Sequence, residues 1–172
     1  MTSVSDDKTV AVTVRIGPDG RASGAAAVAK ILRPPADVWA AVTDVERFAR
    51  HIRMVDSARR RGDEVTLDLK YKLGLIFKVG FSFTARATET DGRILELRWV
   101  SGEPRDIRLR FELTPADDGR ATIVEGDGEF DVMSLGWLAK YFLQHHPEIQ
   151  FGVFPGVALV LVDALKRAVA AR

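Results

Sequence analysis

Residues 149–162, fourteen in a row, carry no charged side chain and have a proline, Pro155, near their middle. A helical bilayer crossing needs about 20 residues, so a helix here must bury its surface against protein, ligand or partner. Downstream the pattern turns one-sided. Leu161, Val162, Leu165, Ala168 and Val169 share one helical face, while Asp163, Lys166, Arg167 and Ala170 share the other. Pro147 suits a first helical position, and a helix from there to Ala170 would be roughly 36 Å long at 1.5 Å per residue. Strands of about ten residues have a matching length. The expectation is one long helix held by a curved antiparallel sheet.

The sheet is read from alternation at period two. After a polar tail, residues 1–8, Val10, Val12, Val14 and Ile16 alternate with Thr9, Ala11, Thr13 and Arg15. Gly17, Pro18, Asp19 and Gly20 make a turn, and the alanine-rich run 25–32 reads as a strand ended by Arg33, Pro34 and Pro35. From Pro35 the spacing is helical, with Val38, Trp39 and Val42 in one stripe. Asp44 can then cap a second short helix holding Val45 and Phe48.

Beyond Ile52 the alternation returns. It directs Val65, Leu67, Leu69 and Tyr71 inward, then Phe77, Val79, Phe81, Phe83, Ala85 and Ala87. Leu95, Leu97 and Trp99 follow, then Ile107, Leu109, Phe111 and Leu113, with turns at Asp91-Gly92 and at residues 117–119. In the last strand Glu125, Asp127 and Glu129 face water as a solvated edge. Val124, Gly126, Gly128 and Phe130 are left inside, and the two glycines admit something bulky, helix or ligand, close to the backbone.

Composition removes several function classes. The 172 residues are 47% hydrophobic, enough for one globular domain over 9–172, and no repeat or second domain is visible. Basic and acidic residues nearly cancel, 25 against 24, so no overall field favours nucleic acid. The absence of cysteine excludes disulfides, thiol catalysis and Cys-based zinc sites. The N-terminal residues lack the basic segment and apolar core of a secretory signal, so a cytoplasmic location is expected, with peripheral membrane contact as a variant.

The run Ile31-Leu32-Arg33-Pro34-Pro35-Ala36-Asp37-Val38-Trp39-Ala40-Ala41-Val42-Thr43-Asp44-Val45-Glu46-Arg47-Phe48 carries a resemblance. It looks like the opening of the helix-grip superfamily (SRPBCC), which includes START domains, the birch-pollen-allergen fold and the polyketide cyclase/dehydrase and lipid-transport families. The likeness extends over about residues 25–170, with Trp99 and the proline-interrupted terminal helix as weaker matches. It implies an α+β helix-grip fold with an apolar cavity between sheet and helix, used to hold a lipid, sterol, quinone or polyketide.

Candidate chemistry is sparse. His145 and His146 point about 100° apart if helical, so they cannot share one ion without a break, and a capping or solvent role is expected, as a packing role is for His51. No catalytic triad, phosphate loop or paired-carboxylate motif stands out. Arg105, Arg108 and Arg110 mix with Asp106 and Glu112 as an ordinary outer sheet face, and Arg59, Arg60 and Arg61 read as a solvated turn. Neither a metal nor a cofactor is expected.

The expected site is therefore the cavity. Its lining is assigned to Leu69, Tyr71, Phe81, Phe83, Leu97, Trp99, Leu109, Phe111 and Phe130 from the sheet and to Phe151 and Phe154 from the helix. Tyr71 and Trp99 supply inward polar handles. Leu73, Leu75, Ile76, Phe77 and Pro155 are assigned to the cavity mouth or to membrane contact, the lysines at 72 and 78 bracketing that turn. Leu159 and Val160 either lie covered or present an apolar patch for dimerisation or membrane contact, and the oligomeric state stays open. The expected function is binding and carriage of a hydrophobic small molecule. A polyketide cyclase or aromatase using the same pocket, and an interaction module with a vestigial cavity, are the alternatives.

Overall fold

Alternation at period two yields eight strands in one curved antiparallel sheet in the computed structural model, which describes residues 9–73 and 77–171. For residues 71–73, 77–79, 137–139, 142, 147 and 150 only the backbone is described. In chain order the strands are β1 (Val10–Ile16), β2 (Ala22–Ile31), β3 (Val55–Arg61), β4 (Glu64–Leu73), β5 (Phe77–Thr90), β6 (Ile94–Gly102), β7 (Arg105–Ala116) and β8 (Ala121–Asp131). They lie side by side in the order β1-β2-β8-β7-β6-β5-β4-β3. Two short helices, α1 (Pro35–Thr43) and α2 (Val45–Ala49), follow β2, and α3 (Gly136–His145) and α4 (Gln150–Ala170) follow β8. This is the helix-grip α+β arrangement.

The local signals at α1 and α2 act as expected. Pro35 stands in the first turn of α1, and the Asp44 side chain accepts a hydrogen bond from the Arg47 backbone N–H at 3.2 Å, capping α2. Phe48 of α2 then meets Phe111 of β7 edge-on, with ring centroids 5.9 Å apart.

Three expectations need correction. The terminal helix begins at Gln150, not Pro147; residues Pro147–Ile149 form a 3-10 turn, and the 21 residues of α4 span about 31 Å. Pro147 removes an N–H and disfavours helical geometry at His146, so the chain breaks there, and α3 stands before the break as a helix with no counterpart in the expectation. Secondly, β8 is no edge: it lies between β2 and β7. Its outward Asp127 and Glu129 are paired with Arg15 of β1, and Glu129 also lies 3.9 Å from Arg108. Thirdly, Arg59, Arg60 and Arg61 lie in β3, an edge strand. Arg60 is half-buried and donates to the Thr43 carbonyl at 3.2 Å and to Glu89 at 2.7 Å.

Alanines decide where α4 rests. Ala25, Ala27 and Ala29 of β2 are at most 1% exposed and let the helix lie close, with Phe154, Ala158 and Val162 packed in the same cluster. The other end of α4 buries Ala164, Leu165, Ala168 and Val169 against α1, α2 and the middle of the sheet. At Gly126 the bulky neighbours are protein: an added Cβ would lie 3.5 Å from Phe111 and 3.8 Å from Val162 of α4.

Candidate functional site: a concave apolar wall

Burial on the inner face of the sheet falls in one direction. On β4 Val65 and Leu67 are buried and Leu69 is half-buried; on β5 Ala87, Ala85 and Phe83 are buried and Phe81 is half-buried. On β6 Leu95 and Leu97 give way to a half-buried Trp99, and on β7 Leu113 and Phe111 give way to a half-buried Leu109, although Ile107 beyond it is buried. On β8 Val124 and Gly126 give way to Gly128 and Phe130. The register places Leu69 opposite Phe81, and Leu109 opposite both Leu97 and Gly128. The sheet is thus plugged by α1 and α2 at one end, and its inner face is less covered toward the other.

Leu69, Phe81, Trp99, Leu109 and Phe130 occupy the partly covered end, whereas Phe83, Leu97 and Phe111 sit in the packed end. Phe154 is 2% exposed and packs against Phe130 with ring centroids 5.0 Å apart and planes tilted by 48°; Phe151 is 44% exposed and does not join them. The side chain of Tyr71 and the residues Leu75 and Ile76 lie outside those described. Leu73 pairs with Phe77 at the end of the β4–β5 hairpin, four register steps past Leu69 and Phe81, and Pro155 is half-buried within α4. Val153, Val157 and Val160 of α4 are half-buried at spacings of four and three. The same helical periodicity that placed Leu161 and Leu165 could have found them.

The rim beside Trp99 is firmly held. Its indole N–H donates to the Gly102 carbonyl at 3.2 Å, so this expected handle is already engaged within its own turn. Gly102 has φ +93°, and a Cβ there would lie 2.1 Å from the Ser82 carbonyl, so only glycine fits. The Glu103 N–H donates to the same carbonyl at 2.9 Å. The Arg105 N–H donates to Ser134 Oγ at 2.7 Å, which itself donates to the Asp131 carbonyl at 2.6 Å.

The carboxylates held at lowered pKa along the strands lie on the other side of the sheet. Asp68 is held below the usual carboxylate range by hydrogen bonds from Ser57 and Ser82, at 2.5 and 2.7 Å. Glu96 is pushed up by burial but held lower on balance by Arg108 and Arg98, and Arg108 is raised in turn by Glu96. These residues alternate with the inward set along their strands. Among the described residues, every buried side-chain nitrogen and oxygen has a hydrogen-bond partner, and no three His, Asp or Glu side chains group as metal ligands. His145 Nδ1 lies 2.8 Å from the Tyr141 carbonyl and His146 Nδ1 3.1 Å from Glu148, which occupies each in local contacts. A separate pocket of about 230 Å³ between α2 and β3 is lined by Glu46, Arg50, Asp56 and Ser57 among others, and is polar in character.

Residues 24–145 match the family described as polyketide cyclase/dehydrase and lipid transport. The chain belongs to that family. Three solved structures share the fold of this chain. A protein from Thermus thermophilus has a TM-score of 0.65 at 16% identity, with 85% of this chain and 96% of that one covered. A START superfamily protein from Mycobacterium smegmatis has a TM-score of 0.62 at 14% identity, with 85% and 96% covered. The Zhui aromatase/cyclase from Streptomyces sp. R1128 has 0.56 at 13% identity, with 93% and 94% covered. No curated protein matches in sequence. The family match stops at His145, so α4 lies beyond it, and it is the structural likeness that extends further along the chain. Among the described residues no helix is long and apolar enough to cross a membrane.

Proposed function

We propose that the protein binds and carries a hydrophobic small molecule, of lipid, sterol, quinone or polyketide type, against the concave wall between the sheet and α4. The observation that supports this is the loss of burial along β4, β5 and β6 on an inner face that remains apolar: Leu69, Phe81 and Trp99, with Leu109 and Phe130 beside them, are half-buried where a closed core would cover them. Covering apolar surface stabilises by about 25 cal/mol per Å², and a mostly hydrocarbon ligand supplies that cover. Loading would occur at the end marked by the Leu73–Phe77 pair and Pro155, which would also be the point of any peripheral membrane contact.

The family description and the Streptomyces neighbour favour a second reading, a polyketide cyclase or aromatase using the same wall. Such chemistry needs an inward acid or base. Of the wall residues just named, only Trp99 has a polar hydrogen, and it is bonded to Gly102. Carriage is the better supported reading.

The test is binding of an apolar fluorescent probe, together with mass spectrometry of an organic extract of the purified chain. A copurified hydrophobic molecule and saturable probe binding, reduced at least roughly tenfold in Leu109→Asp and Phe81→Asp with the far-UV spectrum unchanged, is the expected result. Probe affinity that is indifferent to both substitutions would reject the site.

A further inference from the structure

The two glycines on the inner face of β8 are filled differently. At Gly126, which is buried, an added Cβ would meet Phe111 at 3.5 Å and Val162 of α4 at 3.8 Å, so protein occupies the space that the missing side chain leaves. At Gly128, which is half-buried, the described residues offer a single atom within 4 Å, Leu109 Cδ2 at 3.0 Å, and none from α4. Glycine weakens a strand interior and recurs where another surface comes close to the backbone. At Gly126 that surface is α4. At Gly128 the described residues do not supply it.

The register sets Gly128 between Leu109 of β7 and Ala25 of β2. Along this row the inner side chains fall from an isobutyl group to none and then to one methyl, over strands about 4.8 Å apart. Ala25 is 1% exposed and belongs to the cluster that holds Phe154 and Ala158, so α4 roofs the β2 side of the row. Along β8 itself the low point is bounded by the covered Gly126 toward the packed end and by the half-buried ring of Phe130 toward the open end. The result is a notch one side chain deep in the concave wall, with bare backbone as its floor.

On the footing of the carriage reading above, we propose that Gly128 is a specificity-determining residue: the floor of a notch that takes the edge of a fused-ring hydrophobe in preference to a single acyl chain. A flexible chain threads between side chains of ordinary length and gains little from one missing Cβ. A rigid ring system cannot bend around a side chain at 128, so the bare backbone decides whether it reaches the sheet. Phe130, two residues along the same face, gives the ring flat apolar area to pack on. Leu109 forms the side of the notch, which is where a substituent at 128 would intrude.

The experiment is fluorescence titration of the full chain with dehydroergosterol, a fused-ring probe, and with cis-parinaric acid, a single chain, for the parent, Gly128→Val and Gly128→Ala, with far-UV circular dichroism as the folding control. Valine favours strands, and the half-buried Leu109 has room to turn aside. The expected result is that Gly128→Val lowers the affinity for dehydroergosterol at least roughly tenfold more than that for parinaric acid. Gly128→Ala should give a smaller loss of the same kind, which keeps the test readable if valine disturbs the fold. Gly80→Val places the same bulk on the exposed outer face of β5, where an added Cβ would meet only the Leu69 carbonyl among the described residues, at 3.7 Å, and should leave the ratio of the two affinities as in the parent. A ratio unmoved by both substitutions at 128, or a parent that binds parinaric acid but not dehydroergosterol, overturns the proposal and leaves carriage standing. A parent that binds neither probe overturns both.

Discussion

Glu96 lies on the outer face of β6 with Arg108 Nε at 2.8 Å and Arg98 Nη2 at 3.0 Å. Burial alone would raise its pKa, but the hydrogen bonds from the two arginines outweigh that, and the folded value falls below the ordinary one. The unfolded value is about 4.3. A depressed folded pKa means that the stabilisation is complete above the unfolded value and is lost as the pH falls through the folded one. Glu96→Gln is therefore expected to cost about 1 kcal/mol at neutral pH, with the difference from the parent shrinking toward zero in acid, as read from urea denaturation across pH. A difference that grows in acid would reject this assignment. Arg15 shows the same reach across strands at greater distance. It passes over Gly24 of β2 to pair with Asp127 and Glu129 of β8, and a Cβ on Gly24 would sit 2.7 Å from the Gly128 carbonyl. Outward Asp and Glu at a spacing of two were legible in the chain. Their partner was not, because Arg15 and Asp127 are 112 residues apart.

The two halves of α4 do different work. Its C-terminal half is locked between sheet and helices, with Val162, Ala164 and Leu165 fully buried. Arg47 donates to the Ala171 carbonyl at 2.6 Å and Arg167 to the His51 carbonyl at 3.0 Å, tying that end to α2 and the turn after it. The N-terminal half holds Gly152, Pro155 and Gly156, where Pro155 cannot donate to the carbonyl one turn back. Pro155→Ala restores that donor and is expected to stabilise the helix, by less than about 3 kcal/mol. It should also slow the release of a bound apolar probe in stopped-flow measurements. Unchanged release with a stiffer helix would dissociate the proline from the mouth. The edge strand β3 is managed locally: the Arg60 N–H donates to Glu46 at 3.0 Å, so a side chain occupies a backbone donor that another strand could use.

Across the whole molecule the gradient of burial becomes a gradient of expected mutational cost. Phe111 is 2% exposed, meets Phe48 edge-on and neighbours Gly126 and α4, so Phe111→Ala should cost about 3–5 kcal/mol. Leu109, two residues along the same strand, is only half-buried, and Leu109→Ala should cost about 1 kcal/mol in the unliganded protein. Chemical denaturation of both variants checks this. Equal losses would mean that the wall is as tightly packed as the plugged end, and would remove the basis for a ligand there.

The sequence by itself determined most of the strands with their faces and the first two helices, but not α3, the start of α4 or the strand at Arg59 to Arg61. Period-two alternation set which residues of β4 to β8 point inward, the prolines at 34 and 35 and the Asp44 cap set α1 and α2, and the run from Ile31 to Phe48 resembled the family to which the chain belongs. Such signals are local, within reach of a few residues of backbone. Strand order is not local: β8 pairs with its chain neighbour β7 on one side but with distant β2 on the other, Gly24 opposite Glu129, which is why its carboxylates looked like an edge. How much of the inner face α4 covers is also tertiary, since it follows from Ala25, Ala27 and Ala29 letting the helix rest on β2 while Leu69, Phe81 and Leu109 are left half-covered. The uncharged run at 149–162 announced buried surface, and only packing in three dimensions showed that Phe154, Ala158 and Val162 are covered while Phe151 and Leu159 are not.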